Sequence, residues 1–288
     1  MGYGRPMKGD RPYSIMGVVN VTPDSFSDGG AFEDPVAAIA QGRRLVAEGA
    51  AIVDVGGEST RPGADPVPAE EELARVLPVV EGIADLALPV QISIDTMKLA
   101  VAERAVDGGA TYVNDVTAFR HDPELAGLVA DRGLDCCLMH MLGEPRTMQQ
   151  DPRYDDVVDD VKAFLAQRMA VAVAAGVPEE RIQLDPGIGF GKTLEHNLAL
   201  LRRLDELVAL GRPIVVGTSR KSFLGRLTGR DVTERVPATV ATNVIAFERG
   251  ARVFRVHDVA ATADALAVAA ATFARWPATP TRTTTTRT

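Results

Sequence analysis

Three polar residues, Asp95, Asn114 and Asp185, each end a short and mostly apolar run of the sequence. Each lies an even number of positions from other polar residues of its run, as Asp95 does from Gln91 and Asp185 from Gln183. In a strand such residues point to the same face, which we expect to be buried. A carboxylate on a buried face is costly unless it is paired. A ligand that presents a row of amide and amine groups would pair with all three. For any one of them alone, a capping or core hydrogen-bonding role fits equally well.

Four basic side chains, together with a glycine-rich loop, have the chemistry needed to bind phosphate. Arg61 lies near the end of the loop 56–63, Lys221 follows a separate apolar run, and Arg255 and His257 share one face of a third run. Because arginine offers a planar fork of donors to pairs of oxygens, the set is predicted to clamp a diphosphate. Taken alone, Arg61 could equally be a solvated loop charge.

The sequence lacks several widespread catalytic signatures. There is no P-loop, and the glycines at 187–191 do not have the spacing of a dinucleotide fingerprint. There is no Gly-x-Ser-x-Gly nucleophile elbow, and the four histidines lack zinc-ligand spacing. His121 and His196 are interpreted as surface residues, and Cys136 and Cys137 as core residues on opposite faces of a strand.

Eight short β-type runs alternate with amphipathic helical patterns. The runs span residues 14–20, 51–55, 90–95, 111–114, 135–140, 181–185, 213–217 and 252–256, and the main helical patterns span 35–48, 69–85, 155–175, 195–210, 233–249 and 260–273. Eight strands, each followed by a helix, indicate a parallel sheet and predict an α/β fold, a (β/α)8 TIM barrel. An open, doubly wound sheet is the alternative. The strand ends of a barrel meet at one mouth, so the polar groups above would lie there together.

The bulk composition fits one domain. The chain has 288 residues, which we divide into an N-terminal extension at 1–13, the barrel at 14–276 and a disordered Pro/Thr/Arg tail at 277–288. Its 31 basic and 39 acidic residues give a net charge of −8, which argues against nucleic acid or an anionic membrane as a partner. Without a membrane-length apolar stretch or a signal peptide, and with two adjacent cysteines read as reduced, the chain is expected in the cytoplasm.

Eight segments, in order, resemble the motifs of the dihydropteroate synthase family. They are residues 16–30, 54–63, 93–96, 113–116, 138–141, 185–192, 219–223 and 255–259, and the resemblance extends from about Ile15 to about Ala274. Any one match would be weak, but so many in sequence order are specific. Leu142 and the segment 117–119 depart mildly from the family pattern, which leaves fine substrate contacts open.

This resemblance implies a transferase of folate synthesis. Such an enzyme condenses 6-hydroxymethyl-7,8-dihydropterin diphosphate with p-aminobenzoate to give 7,8-dihydropteroate and diphosphate. The family also implies a magnesium ion (Mg2+), inhibition by sulfonamides that compete with p-aminobenzoate, and a homodimer. Two alternatives remain: a pterin-binding methyltransferase domain, against which the predicted diphosphate clamp argues, and a catalytically silent pterin-binding paralogue.

The resemblance also assigns residues to subsites. The pterin subsite would contain Asp95, Asn114, Met139, Asp185, Phe190, Gly217 and Lys221; the diphosphate subsite Asn20, Arg61, Arg255 and His257; and the p-aminobenzoate subsite Thr60, Phe190, Lys221 and Ser222. Asn20 would be the protein ligand of magnesium. Lys221, Arg255, His257 and Asp185 are the expected catalytic residues, and the loops 21–32 and 58–68 would close over the substrates.

Overall fold

The computed structural model describes residues 11–22 and 35–273. Within these ranges the strands are β1 (Ser14–Asn20), β2 (Ile52–Gly56), β3 (Gln91–Asp95), β4 (Tyr112–Asp115), β5 (Asp135–Met139), β6 (Ile182–Asp185), β7 (Val215–Val216) and β8 (Val253–Val256). The helices are α1 (Pro35–Ala47), α2 (Ala69–Asp85), α3 (Leu99–Asp107), α4 (Leu125–Asp131), α5 (Val157–Ala174), α6 (Leu194–Arg202), α7 (Leu204–Val208), α8 (Ser222–Thr228), α9 (Val236–Glu248) and α10 (Val259–Phe273).

The eight strands form one parallel sheet in the order β6-β5-β4-β3-β2-β1-β8-β7. A single parallel bridge between Leu184 and Ile214 brings the two end strands together. The sheet therefore closes, and the predicted (β/α)8 barrel is confirmed. The interpretation as an open, doubly wound sheet is excluded by this closure.

The barrel has two apolar layers because successive residues of a strand point to opposite faces. An outer core packs the strands against the helices; α2, for example, buries Val76, Val80 and Ile83. An inner cluster draws one residue from each of six strands: Met16, Ile52, Tyr112, Cys137, Val215 and Val253. Two of the polar residues predicted to line the mouth, Asn114 and Arg255, lie two positions further along β4 and β8, on the same inward face. The inner cluster thus forms the floor beneath them.

The two cysteines lie on opposite faces of β5, as the alternation predicted. Cys136 belongs to the outer core and Cys137 to the inner cluster. Both are buried and free. Burial raises the pKa of each thiol, and neighbouring carboxylates add to the effect. Both therefore remain protonated thiols at neutral pH.

Two predicted elements differ from the structure. The helix expected at 195–210 is two helices, α6 and α7, because Arg203 between them leaves helical geometry and pairs with Asp156 of the α5 N-cap at 2.7 Å. The strand expected at 213–217 is only two residues long. Pro213 has no N–H to donate to the sheet, although its carbonyl accepts from Leu184 at 3.0 Å.

Several sequence interpretations lie outside the described residues. They are most of the proposed N-terminal extension, most of the loop 21–32 and the tail 277–288. Among the residues that the structure does describe, no helix has the length and apolar character needed to span a membrane.

Candidate active site

An open cavity lies at the carboxyl ends of the strands, with about 470 Å³ of empty space that includes the solvent at its mouth. Its wall contains Val18, Thr60, Asn114, Val116, Met139, Asp185, Phe190, Gly217, Ser219, Lys221, Arg255 and His257. Most of the residues predicted from the sequence are therefore neighbours in space. Val18, Val116 and Ser219 are wall residues to which the sequence had assigned no role. In a β/α barrel this mouth is where substrates bind.

Arg255 holds two carboxylates at the mouth. Its Nε donates to Asp54 Oδ2 at 2.6 Å and its Nη2 donates to Asp95 Oδ2 at 2.6 Å. Burial alone would lower the pKa of Arg255, but the charges of Asp54 and Asp95 raise it, so the guanidinium stays charged. Burial raises the pKa of Asp95 to about 7, against the lowering effect of Arg255. Asp54 and Asp95 thus share one cation, and Asp95 can take up a proton near neutral pH.

Asp54, to which the sequence had assigned no role, connects the wall residues Asn114 and Arg255. It is completely buried in the middle of β2 and accepts hydrogen bonds from three other strands. Besides Arg255 of β8, Ser93 Oγ of β3 donates to it at 2.5 Å and Asn114 Nδ2 of β4 at 3.1 Å. We call these four residues the Asp54 network. The available signal was a lone carboxylate inside an otherwise apolar strand, which required a partner that the sequence could not identify.

Asp185 and Lys221 form the opposite wall of the cavity. Gly187 N donates to Asp185 Oδ1 at 2.6 Å. Burial raises the pKa of Asp185, while Lys221 and Gly187 lower it. Burial lowers the pKa of Lys221 to about 8, with Asp185 acting in the opposite direction. Lys221 Nζ donates to the Ile188 carbonyl and lies 4.5 Å from the centroid of the Phe190 ring, so an amine is held beside an aromatic surface.

His257 is neutral at pH 7. Burial lowers its pKa to about 4, and the charges of Arg255 and Arg220 contribute. Its Nδ1 lies 2.9 Å from Ser219 Oγ, which also accepts the backbone N–H of His257 at 3.1 Å. The imidazole is therefore fixed in orientation. The sequence analysis had counted His257 as a basic group. A neutral imidazole can instead donate a hydrogen bond to an anion.

Four predicted residues lie apart from the cavity wall. Arg61 is exposed, although its charge is near enough to contribute to the low pKa of His257. Ser222 is exposed as the first residue of α8, and Asn20 is half-buried at the end of β1. Asp95 is connected to the wall through Arg255. The structure thus brings the pterin set together more completely than the diphosphate and p-aminobenzoate sets.

Lys192 holds the loop that carries Phe190. It is buried, and its Nζ lies 2.9 Å from His140 Nδ1 and 3.0 Å from the Phe190 carbonyl. Gly187 begins this loop with φ +66°, and a Cβ there would come within 1.9 Å of the His140 carbonyl oxygen. Only glycine fits such an approach. Burial and the charge of Lys192 lower the pKa of His140 to about 2, so the ring acts as a neutral acceptor.

The departure from the family pattern at 117–119 has a local explanation. Ala118 and Phe119 have positive φ angles of 53° and 59°, which L-residues rarely adopt. The Asp115 carboxylate compensates by accepting from Thr117 N at 2.7 Å and from Phe119 N at 2.6 Å. Arg168 Nε adds a hydrogen bond to the Ala118 carbonyl at 2.7 Å. The turn is therefore held without glycine.

The site and fold agree with a known family. Residues 16–257 match the model of the family described as pterin binding enzyme. The match covers nearly all of the barrel, including every strand end that contributes to the cavity. The chain belongs to the pterin-binding enzyme family.

Similarity to individual proteins narrows the assignment. The chain is 50% identical over 263 residues to dihydropteroate synthase of Neisseria meningitidis serogroup C, covering 89% of this chain and 91% of the relative. A Xanthomonas albilineans dihydropteroate synthase structure with 4-aminobenzoic acid has a TM-score of 0.86 and 49% identity, covering 93% of this chain and 95% of that one. The same enzyme with 7,8-dihydropteroate has a TM-score of 0.83 and 46% identity, with the same coverage. Within its family, the chain groups with the dihydropteroate synthases.

Proposed function

We propose that this chain condenses 6-hydroxymethyl-7,8-dihydropterin diphosphate with p-aminobenzoate, which gives 7,8-dihydropteroate and diphosphate for folate synthesis. One observation carries the proposal. A single cavity brings the carboxyl of Asp185 and the amide of Asn114 together with the cations of Lys221 and Arg255. A donor-rich heterocycle and an anionic leaving group can therefore be bound side by side.

The buried polar groups suit the edge of a pterin. The 2-amino group and the ring N–H of a pterin form a row of donors, which a carboxylate such as Asp185 can accept. Asp54 takes the Nδ2 hydrogen of Asn114, so the carbonyl oxygen of that amide is left as a further acceptor. Lys221 supplies a donor for the pterin oxygen or ring nitrogen. β6 holds Asp185, β4 holds Asn114 and the start of α8 holds Lys221, so three elements fix the orientation of the ring.

The reaction breaks the bond between the pterin methylene carbon and the diphosphate oxygen, and forms a bond from that carbon to the arylamine nitrogen. That nitrogen then gives up one proton, which the departing diphosphate can accept. The arylamine is uncharged at neutral pH, so it needs no strong base before attack. Charge grows on the departing diphosphate, where Arg255, His257, Lys221 and Arg61 would stabilise it. Loss of one well-placed donor of this kind typically costs ~3 kcal/mol in the barrier. We expect bond breaking to run ahead of attack, with the pterin π-system sharing the cationic charge.

One assay tests the reaction and its order. Purified protein is incubated with magnesium, the pterin diphosphate and p-aminobenzoate, and the formation of dihydropteroate is followed. The same mixture without arylamine measures cleavage alone. Cleavage at a similar rate in both mixtures supports the dissociative path, whereas complete dependence on arylamine argues against it. Sulfonamides should compete with p-aminobenzoate, and absence of dihydropteroate would refute the proposed function.

Magnesium is proposed to enter with the diphosphate. Among the described residues, no group of three or more His, Cys, Asp or Glu side chains could hold a metal. Asn20 supplies one amide oxygen at the end of β1, which suits an ion that keeps several waters and binds mainly through substrate phosphates. When bound, the ion would neutralise charge on the leaving diphosphate.

Calorimetry checks this role. Magnesium alone should show no measurable binding to the protein, whereas diphosphate should bind more tightly when magnesium is present. Asn20→Ala should remove most of that magnesium-dependent gain, and Asn20→Asp should retain it because it keeps an oxygen ligand. Tight binding of magnesium without diphosphate would contradict the proposal.

A homodimer is proposed for the face formed by α9 and α10. These helices pack on each other and expose Ile245 (45%), Val268 (68%) and Phe273 (46%), and exposed apolar side chains of adjacent helices can form an interface. Sedimentation should give twice the chain mass of 30.6 kDa, and Val268→Asp should shift the protein toward the monomer. A native monomer at micromolar concentration would contradict this. We also propose a cytoplasmic location, with the two free thiols as support.

A further inference from the structure

A buried cluster outside the cavity joins three elements around one lysine. Lys98 Nζ forms ion pairs with the carboxylates of Glu58 and Glu72. The exposed fractions of the three side chains are 14%, 10% and 1%. Lys98 precedes α3 and stands three residues after Asp95, Glu58 lies in the loop after β2, and Glu72 lies in α2. The cluster has no part in the mechanism described above.

Glu58 fastens the base of the loop that carries Thr60 and Arg61. One of its oxygens, Oε2, pairs with Lys98, while the other, Oε1, accepts from Val67 N at 3.3 Å. Residues 58 and 67 are thereby joined, and the segment between them becomes a closed loop. Thr60, two residues from Glu58, lines the cavity. The position of Glu58 therefore determines where Thr60 is presented.

The neighbouring backbone is fixed on α2 as well. A Cβ on Gly57 would come within 2.7 Å of Val76 and 3.1 Å of Glu72, so the loop begins in direct contact with the helix. Arg75 Nη1 also donates to the Gly57 carbonyl at 2.7 Å. In contrast, residues 61–63 are exposed. The loop is thus anchored at its base, while its exposed tip is held by the hydrogen bond that Gly63 N donates to the Pro145 carbonyl at 3.1 Å.

Lys98 is the group that keeps this base together. Among the described residues, Glu72 Oε1 is buried without a hydrogen-bond partner, so the Glu72 carboxylate depends on Lys98 for compensation. Burial alone would lower the pKa of Lys98, but its hydrogen bonds to Glu58 and Glu72 raise it. Asp122 Oδ2 accepts from Leu99 N at 3.0 Å, which holds the backbone next to Lys98. The cation is therefore permanent and rigidly placed.

We propose that Lys98 is a positioning residue for the arylamine subsite: through Glu58 it sets the base of the loop 58–67 and hence the place of Thr60. The inference rests on the proposed function for the identity of the arylamine. It predicts a selective defect, because Asn114 and Asp185 lie on β4 and β6, and Asp95, although three residues before Lys98, is held in place by Arg255.

The test compares Lys98→Met with Lys98→Arg. The methionine variant should raise the KM for p-aminobenzoate by roughly tenfold or more, since small misplacements of binding groups are costly. The dissociation constant for 6-hydroxymethyl-7,8-dihydropterin, measured by calorimetry without arylamine, should change less than about twofold. The Val67 amide should exchange its hydrogen faster, as seen by mass spectrometry of peptides that span the loop. The arginine variant should restore most of the native KM for p-aminobenzoate and of the slow Val67 exchange.

Two further variants keep the result interpretable. If Lys98→Met unfolds because Glu72 is left unpaired, Lys98→Met combined with Glu72→Gln removes the buried charge and should show the same selective defect. Arg132→Met breaks an exposed ion pair with Asp107 and should change neither the KM for p-aminobenzoate nor the Val67 exchange. An unchanged KM together with unchanged Val67 exchange would overturn the proposal, as would an equal loss of pterin affinity. If the native protein forms no dihydropteroate, the proposed function fails, but Val67 exchange still decides the role of Lys98.

Discussion

Replacement of Asp185 with asparagine should lower the affinity for 6-hydroxymethyl-7,8-dihydropterin by about 2–4 kcal/mol, or roughly 30- to 1,000-fold, and should remove detectable turnover. The carboxylate accepts a hydrogen bond from Gly187 and lines the cavity. Asparagine can keep the Gly187 bond through its oxygen, but its amino group would then face the donor edge of the pterin. A donor facing a donor leaves both unpaired in a buried place.

The same change should not weaken the fold. Burial raises the pKa of Asp185, so the folded chain binds the proton more tightly than the unfolded chain does. Ionisation of this group therefore costs stability as the pH rises above its unfolded pKa. Asp185→Asn removes that cost, and its melting temperature at pH 7 should equal or exceed that of the native chain.

Calorimetry with the free dihydropterin and thermal unfolding together check this prediction. Asp135→Asn is a matched control, because Asp135 begins β5 at the opposite end of the barrel and pairs there with Gln91 at 2.8 Å. The control should bind the dihydropterin normally. Native affinity in Asp185→Asn would remove Asp185 from the pterin subsite.

Asp54→Ala should lose both stability and turnover. The change leaves the guanidinium of Arg255 without one of its two carboxylates, and Asn114 Nδ2 and Ser93 Oγ without their acceptor. Removing one partner of a buried ion pair typically costs about 3–5 kcal/mol in the free energy of unfolding. Turnover should fall further, because the orientations of Asn114 and Arg255 both depend on this carboxylate.

Urea unfolding and steady-state kinetics measure the two effects. Asp107→Ala provides the comparison. Both side chains of its ion pair with Arg132 are exposed, so the free energy of unfolding should fall by no more than about 1 kcal/mol. Asp54→Asn should recover little of the lost stability or turnover, since its amino group would face the donors of Arg255, Asn114 and Ser93. If Asp54→Ala has the stability and the turnover of the native chain, the Asp54 network neither stabilises the fold nor supports catalysis.

The barrel and its polar mouth could be predicted because both depend on local patterns. Alternation of apolar and polar residues placed Asp95, Asn114 and Asp185 on the inward face, and the parallel order of the strands then brought their ends together. The strand ends moved by only about one residue, as is usual for boundaries. β7 was overestimated because Pro213 limits its pairing.

The Asp54 network could not be predicted, because its contacts join distant parts of the chain. Asp54 and Arg255 are 201 residues apart, and nothing local to either identifies the other. The neutral state of His257 follows from burial and from nearby cations, which only the folded chain creates. The exposed positions of Arg61, in a loop, and of Ser222, at the start of α8, depend on local geometry for which alternation gives no information.

The placement of the two cysteines has a practical consequence. The sequence contains no others, and one lies in each apolar layer on either side of β5. A disulfide reagent or alkylating agent attacks the thiolate, which is both scarce and inaccessible here. Modification therefore requires that the strands and helices around β5 separate, so the labelling rate reports global unfolding of the protein. Unfolding of the native sequence can be timed in this way without an engineered probe and without disturbing the substrate cavity.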